Sequence, residues 1–121
     1  MTSEQLAKAI VQAAEDVKGE DLLVLDLREL TSFTDFFVLV TGRSDRQVQA
    51  IADNIVETLK AEKTRPLGIE GFETGHWVLI DYAAVVVHVF YGETREFYSL
   101  EKLWSDAPRL QLEESDQVAA P

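Results

Sequence analysis

His76 and His88 are the only histidines in the chain, and it contains no cysteine. Nucleophilic catalysis needs a hydroxyl or thiol activated by a nearby base, and neither histidine has a sequence-local partner that would build such a triad. No Gly-x-Ser-x-Gly elbow occurs. Two isolated histidines give no His-x-x-x-His pair for zinc. The carboxylates near the end of the chain lack the spacing and central glycine of a calcium loop. The absence of cysteine excludes disulfides and Cys-ligated zinc. No cofactor and no metal are therefore expected. His88 lies in a run of valines, Val85 to Phe90 (VVVHVF), which favours a structural or partner-contact role over a catalytic one. His76 precedes Trp77 at the edge of a loop and fits a surface position.

Gly42-Arg43-Ser44 is the other candidate for chemistry. A glycine and a serine where a strand turns into a helix can expose backbone N–H groups to a phosphate. In nucleotidyltransferases a comparable turn precedes two strand carboxylates, two residues apart on one face, that share Mg²⁺. The strands that follow supply Asp81 alone, and its same-face neighbour Leu79 cannot bind a metal. A nucleotidyltransferase-like fold without the metal site is the resulting expectation. Helix capping by Ser44 suffices to explain the motif.

The elements that must position these residues follow from periodicity. Thr2 to Val17 reads as an amphipathic helix: Thr2 and Gln5 fit a capping box, and Leu6, Ile10, Ala13, Ala14 and Val17 share a face. Leu22 to Leu27 (LLVLDL) and Phe36 to Thr41 (FFVLVT) are apolar enough to be strands buried on both faces. Ser44 and Gln47 form a second capping-box pattern, opening a helix with Val48, Ile51, Ala52, Ile55 and Leu59 as its core stripe. Pro66 prevents the helix from continuing. Leu67 to Ile69 reads as a short edge strand. Trp77 to Asp81 and Val85 to Phe90 read as a hairpin, although Tyr82-Ala83-Ala84 lacks the favoured Asn-Gly turn. Ser99 can cap a last short helix carrying Leu100, Leu103 and Trp104. The fold class is thus α/β, a mixed sheet of about five strands flanked by helices in the order α-β-β-α-β-β-β-α. Residues 1–108 form one domain, and 109–121 an acidic, mobile tail.

The 121 residues fit a single domain, and the hydrophobic fraction of 46% is ordinary for a globular protein. No apolar run is long enough for a membrane span, and the N-terminal stretch does not resemble a secretory signal, so a cytoplasmic location is expected. Twenty-two acidic residues stand against 11 basic ones, a formal net charge of −11. Such a chain is repelled by bare nucleic acid and attracted by a basic protein surface. Late in the chain Trp77, Tyr82, Phe90, Tyr91, Phe97, Tyr98 and Trp104 are concentrated. Alternation places Trp77, Leu79 and Asp81 on one strand face and Val78 and Ile80 on the other. A tryptophan and a carboxylate on one face suit a contact surface better than a dry core.

The segment from Asp35 (DFFVLVTGRSDRQVQAIAD) is similar to the signature of the ribosomal silencing factor, or Iojap, family. Gly75 to Tyr82 (GHWVLIDY), Val85 to Phe90 and Arg95 to Trp104 (REFYSLEKLW) resemble its second half. The likeness spans about residues 3 to 104. It implies a fold related to nucleotidyltransferases but without their activity, and no role as an enzyme. It also implies binding to the large ribosomal subunit through ribosomal protein L-fourteen, which blocks joining of the small subunit and lowers translation when nutrients are scarce. A homodimer is a further implication. Matching positions are Trp77, Asp81, Tyr82, His88, Phe90 and Tyr98. They are expected to form the contact surface, with Trp77 and Tyr82 as aromatic anchors and Asp81 as partner for Lys or Arg. One departure is visible: relatives often carry Gly and Asp in the hairpin turn, where this chain has Ala83-Ala84. The alternatives are an enzyme of nucleotidyltransferase fold acting on nucleotide or RNA, and an acidic dimeric adaptor for another basic partner.

Overall fold

The computed structural model describes residues 1–110. Its elements are α1 (Ser3–Asp16), β1 (Glu20–Asp26), β2 (Phe36–Gly42), α2 (Asp45–Ala61), β3 (Gly68–Glu70), β4 (Trp77–Asp81), β5 (Val85–Tyr91), α3 (Gly92–Tyr98) and α4 (Leu100–Leu103). The strands form one sheet in the order β1-β2-β5-β4-β3. Only β2 and β5 run parallel; the other neighbours are antiparallel. A parallel pair needs cover on both faces. Accordingly every residue of β2 is buried.

One face carries Val24, Phe36, Val38, Val40, Val78, Ile80, Val85, Val87 and Val89, packed under the apolar stripes of α1 and α2. Thr2 caps α1 with both arms of the capping box formed. At α2 only one arm forms as the spacing predicts: the Ser44 hydroxyl accepts the Gln47 backbone N–H. The Gln47 side chain accepts from the Arg43 N–H instead, and its amide donates to the carbonyls of Val17 and Lys18. It thereby ties the start of α2 to the end of α1.

The second face is covered differently. Leu25, Leu27, Phe37, Leu39 and Phe90 form a smaller core closed by Ala107, with Leu100 and Trp104 packed against it. Here the structure departs from the expected elements. α3 buries none of its residues completely, so it has no apolar stripe for periodicity to detect. Ser99 does not cap α4; its φ is 45° and its hydroxyl donates to the Glu96 carbonyl, so it marks a left-handed kink between the two short helices. Arg109 and Leu110 do not leave the fold at Pro108. Arg109 bridges Leu25, and the Leu110 N–H donates to the Val24 carbonyl along the edge of β1. The rest of the expected tail, 111–121, lies outside the described residues.

The loop from β3 to β4 is set by glycine. Gly71 has φ 81°, and a β-carbon there would overlap the Trp77 carbonyl oxygen. Gly68, by contrast, has nothing within 4 Å of such an atom. We expect Gly71→Ala to lower stability by about 2–4 kcal/mol and Gly68→Ala to change it by less than about 1 kcal/mol, read from urea denaturation midpoints.

Candidate functional site

The C-terminal segment covers the second face over β1, β2 and part of β5 and reaches β4 only at Trp77. Cross-strand pairing places Trp77 opposite Phe90, Leu79 opposite His88 and Asp81 opposite Val86. Phe90 and His88 are buried, while Trp77, Leu79, Asp81 and Val86 remain half-exposed. Val78 and Ile80 point to the helix side and are fully buried, as alternation requires.

A connected belt of rings crosses this face. Phe97 meets Tyr98 at 5.0 Å, and Tyr98 lies on Trp77 at 4.7 Å. Trp77 contacts Phe90 at 5.0 Å and His88 at 6.0 Å. His88 meets Phe37 at 4.6 Å, and Phe37 meets Trp104 at 5.9 Å and Phe33 at 6.2 Å. Offset and edge-on ring pairs of this kind add roughly 0.5–1.5 kcal/mol each beyond their buried area. The two ends of the belt are open to solvent: Phe97 is 80% and Phe33 60% exposed, with Tyr98 at 51% between core and water.

Carboxylates border the belt. Asp81 ends β4, and its Oδ1 accepts the Ala83 N–H at 2.7 Å. That bond stabilises a turn in which Ala83 takes φ 70°, a left-handed conformation that alanine seldom adopts. Glu70 pairs with Leu79 and so shares its face, while Gly68 stands opposite Asp81 and leaves that carboxylate without a side-chain neighbour on β3. Glu70 escapes sequence reading because only the β3–β4 register reveals its side of the sheet.

The expected contact residues separate. Trp77, Asp81 and Tyr98 reach the surface of the belt. Phe90 and His88 lie beneath it. Tyr82 does not join Trp77: its ring is buried in the helix-side core, and its hydroxyl is buried without a partner among the described residues. Burial pushes that phenol up to about 12, so it stays neutral. The helix-side core is where alternation from Val78 and Ile80 puts Tyr82, on the face opposite Trp77 and Asp81; the family signature alone sets it among the contact residues. The residues missing from the sequence-based set are Phe33, Phe37, Phe97 and Glu70. Phe33 falls in a loop, Phe37 in a fully buried strand, and Phe97 in the stripe-less α3.

The Gly42-Arg43-Ser44 turn is occupied by the fold itself. Ser44 and Gln47 accept the N–H groups of Gln47 and Arg43, and Arg43 pairs with Glu20 at 3.0 Å. A β-carbon on Gly42 would meet Val48 Cγ2 at 2.8 Å, so the glycine serves the close approach of α2. A cleft of about 270 Å³ beside it is lined by Arg43, Ser44, Asp45, His76 and Tyr91. Asp81 is not there. Gly42 stands opposite Tyr91 and Asp81 opposite Val86, which separates them by about 16 Å along β5. Glu70 is diagonal to Asp81, but at that same far end. Among the described residues no three His, Asp or Glu side chains gather where they could hold a metal ion.

Among the described residues His88 is the one strongly perturbed base. Its Nδ1 accepts the Trp77 indole N–H at 3.1 Å. The ring proton therefore sits on Nε2, which is buried without a partner among the described residues. Burial lowers its pKa to about 4.

The fold and this face define a class: a small mixed-sheet α/β domain that presents an acid-bordered aromatic surface on its half-covered side. The comparisons with known proteins are specific. The family model described as "Ribosomal silencing factor during starvation" matches residues 1–121. The chain is 40% identical over 113 residues to the ribosomal silencing factor RsfS of Halalkalibacterium halodurans, covering 93% of this chain and 97% of that protein. It is 40% identical to the RsfS of Bacillus subtilis over 93% of this chain and 96% of the relative. A crystal structure of a Chromobacterium violaceum protein superposes with a TM-score of 0.85 at 40% identity, over 87% of this chain and 88% of that one. The chain belongs to the ribosomal silencing factor family.

Because His88 is neutral in the folded protein and protonates with an ordinary pKa near 6.5 when unfolded, the unfolded chain binds the extra proton between these values. Its contribution is present above pH 6.5 and is lost as pH falls towards 4. We expect stability to drop by about 2–3 kcal/mol between pH 7 and 4.5 from this group. His88→Leu should remove that part of the slope in urea titrations.

Proposed function

We propose that the chain docks through its open sheet face on the large ribosomal subunit, at ribosomal protein L-fourteen. Its bulk there keeps the small subunit from joining, which lowers translation when nutrients are limiting. The observation that carries this reading is the half-exposed Trp77 under the exposed Tyr98, with Asp81 and Glu70 farther along the same sheet face, on a chain of the ribosomal silencing family. Tryptophan and tyrosine are the side chains that most often anchor interfaces. The carboxylates suit the lysines and arginines of a basic ribosomal protein, and the net charge of −11 steers the approach while disfavouring bare RNA.

A steric blocker needs affinity and placement and no reaction. We read the chain as a non-enzyme on that ground, because its phosphate-type turn is filled by its own caps and lies far from Asp81. No helix of the described residues is long and apolar enough to cross a membrane, and a ribosome partner fits a cytoplasmic location. The same aromatic face could also pair two copies of the chain, in which case dimer and ribosome complex compete for it.

Sedimentation tests the reading. Added protein should travel with large subunits and reduce joined ribosomes. Trp77→Ala and Tyr98→Ala should each weaken this by roughly tenfold to a hundredfold. Asp81→Asn, which keeps the acceptor for the Ala83 N–H, should combine with Glu70→Gln to flatten the salt dependence. Undiminished subunit joining, with the protein left at the top of the gradient, would sink the proposal. Calorimetry with nucleotide and Mg²⁺ should show no heat; a clear binding isotherm would return the enzyme reading.

A further inference from the structure

Trp77 has one hydrogen-bond donor, and the fold turns it inward onto Nδ1 of His88. We propose that His88 is the positioning residue of the docking face: by accepting the indole N–H it fixes the tilt of the Trp77 ring against Tyr98 and offers the partner hydrocarbon in place of a donor. This rests on the docking reading above.

Three observations support it. His88 lies opposite Leu79, diagonal to Trp77 across the β4–β5 ladder, a separation that long ring side chains bridge. Its own ring is wedged, with only 4% exposed. Phe37 stands edge-on at 4.6 Å, and Phe90 lies within 11° of parallel. The acceptor therefore has a fixed direction. Finally, His88 is a poor space-filler. Its Nε2–H is buried without a partner, a cost that an apolar residue of similar size would avoid. What leucine cannot supply is the lone pair on Nδ1. Desolvation keeps that lone pair free of a proton at neutral pH.

The role predicts that docking and stability separate. In ¹H–¹⁵N spectra of the full chain, Trp77→Phe identifies the Trp77 indole signal. In His88→Leu that signal should move to the position of an unbonded indole and exchange faster with solvent. The urea midpoint at pH 7 should stay or rise, yet affinity for purified large subunits should fall roughly tenfold. His88→Asn places an amide oxygen near the Nδ1 position and should restore both the indole signal and most of the affinity. An indole signal unmoved by His88→Leu overturns the proposal. So does full-strength docking by His88→Leu once the signal has moved, when Trp77→Ala in the same assay docks weakly. If Trp77→Ala itself docks as tightly as the unsubstituted protein, the docking face has been misplaced. The part assigned to His88 in docking then fails with it, while the indole signal still decides whether the bond exists.

Discussion

A parallel pair of strands at the centre of a sheet must be roofed on both sides, and this chain has long helices enough for only one. α1 and α2 close one face over β2 and β5. The other is closed by what remains, two short helices and the stretch around Trp104 and Ala107. That cover reaches β1, β2 and part of β5 and touches β4 only at Trp77, leaving Leu79 and Asp81 half-exposed. The aromatic belt is the boundary of the incomplete roof: rings deep enough to be core at Phe37 and Phe90 pass continuously into rings exposed at Tyr98 and Phe97.

At Asp81 local structure and the proposed docking face share one group. One carboxylate oxygen holds the strained turn at Ala83, so the side chain is already ordered before any partner arrives. An ordered carboxylate loses less conformational freedom on pairing with a cation than a free one does. The turn thus does for Asp81 what His88 does for Trp77. The sheet also keeps the phosphate-type turn and the carboxylates apart. The phosphate-type turn lies at the carboxyl ends of β2 and β5, and the carboxylates gather at the opposite end of the sheet.

Most of the fold was legible in the sequence. α1 and α2 announce themselves by stripe and cap, and the valine-rich strands by unbroken apolar runs. The order of elements through β5 follows from these signals alone. α3 was not legible, because a helix that buries nothing completely carries no period. The site was legible only in part. Alternation placed Trp77 and Asp81 on one face. It also puts Tyr82 on the other face, with Val78 and Ile80, where the structure buries it; only the family signature sets Tyr82 among the contact residues. Glu70 required the pairing register. Gln47 was read as a capping residue for its own helix, whereas its amide reaches the end of α1, a long-range contact that no local pattern encodes. The resemblance to a family supplied the partner, which charge and periodicity do not name.

The pairing of Arg109 and Leu110 with β1 has a consequence for how such a protein survives at high concentration. An open sheet has two unpaired rims, and each is a template for another molecule's backbone. Here Pro108 to Leu110 occupy part of one rim, accepting from Asp26 and donating to Val24. The other rim is β3, only three residues long and exposed throughout. Runaway sheet extension into fibres is therefore hindered at both ends of the sheet. A chain protected in that way can leave an aromatic surface open on its face without polymerising through its edges.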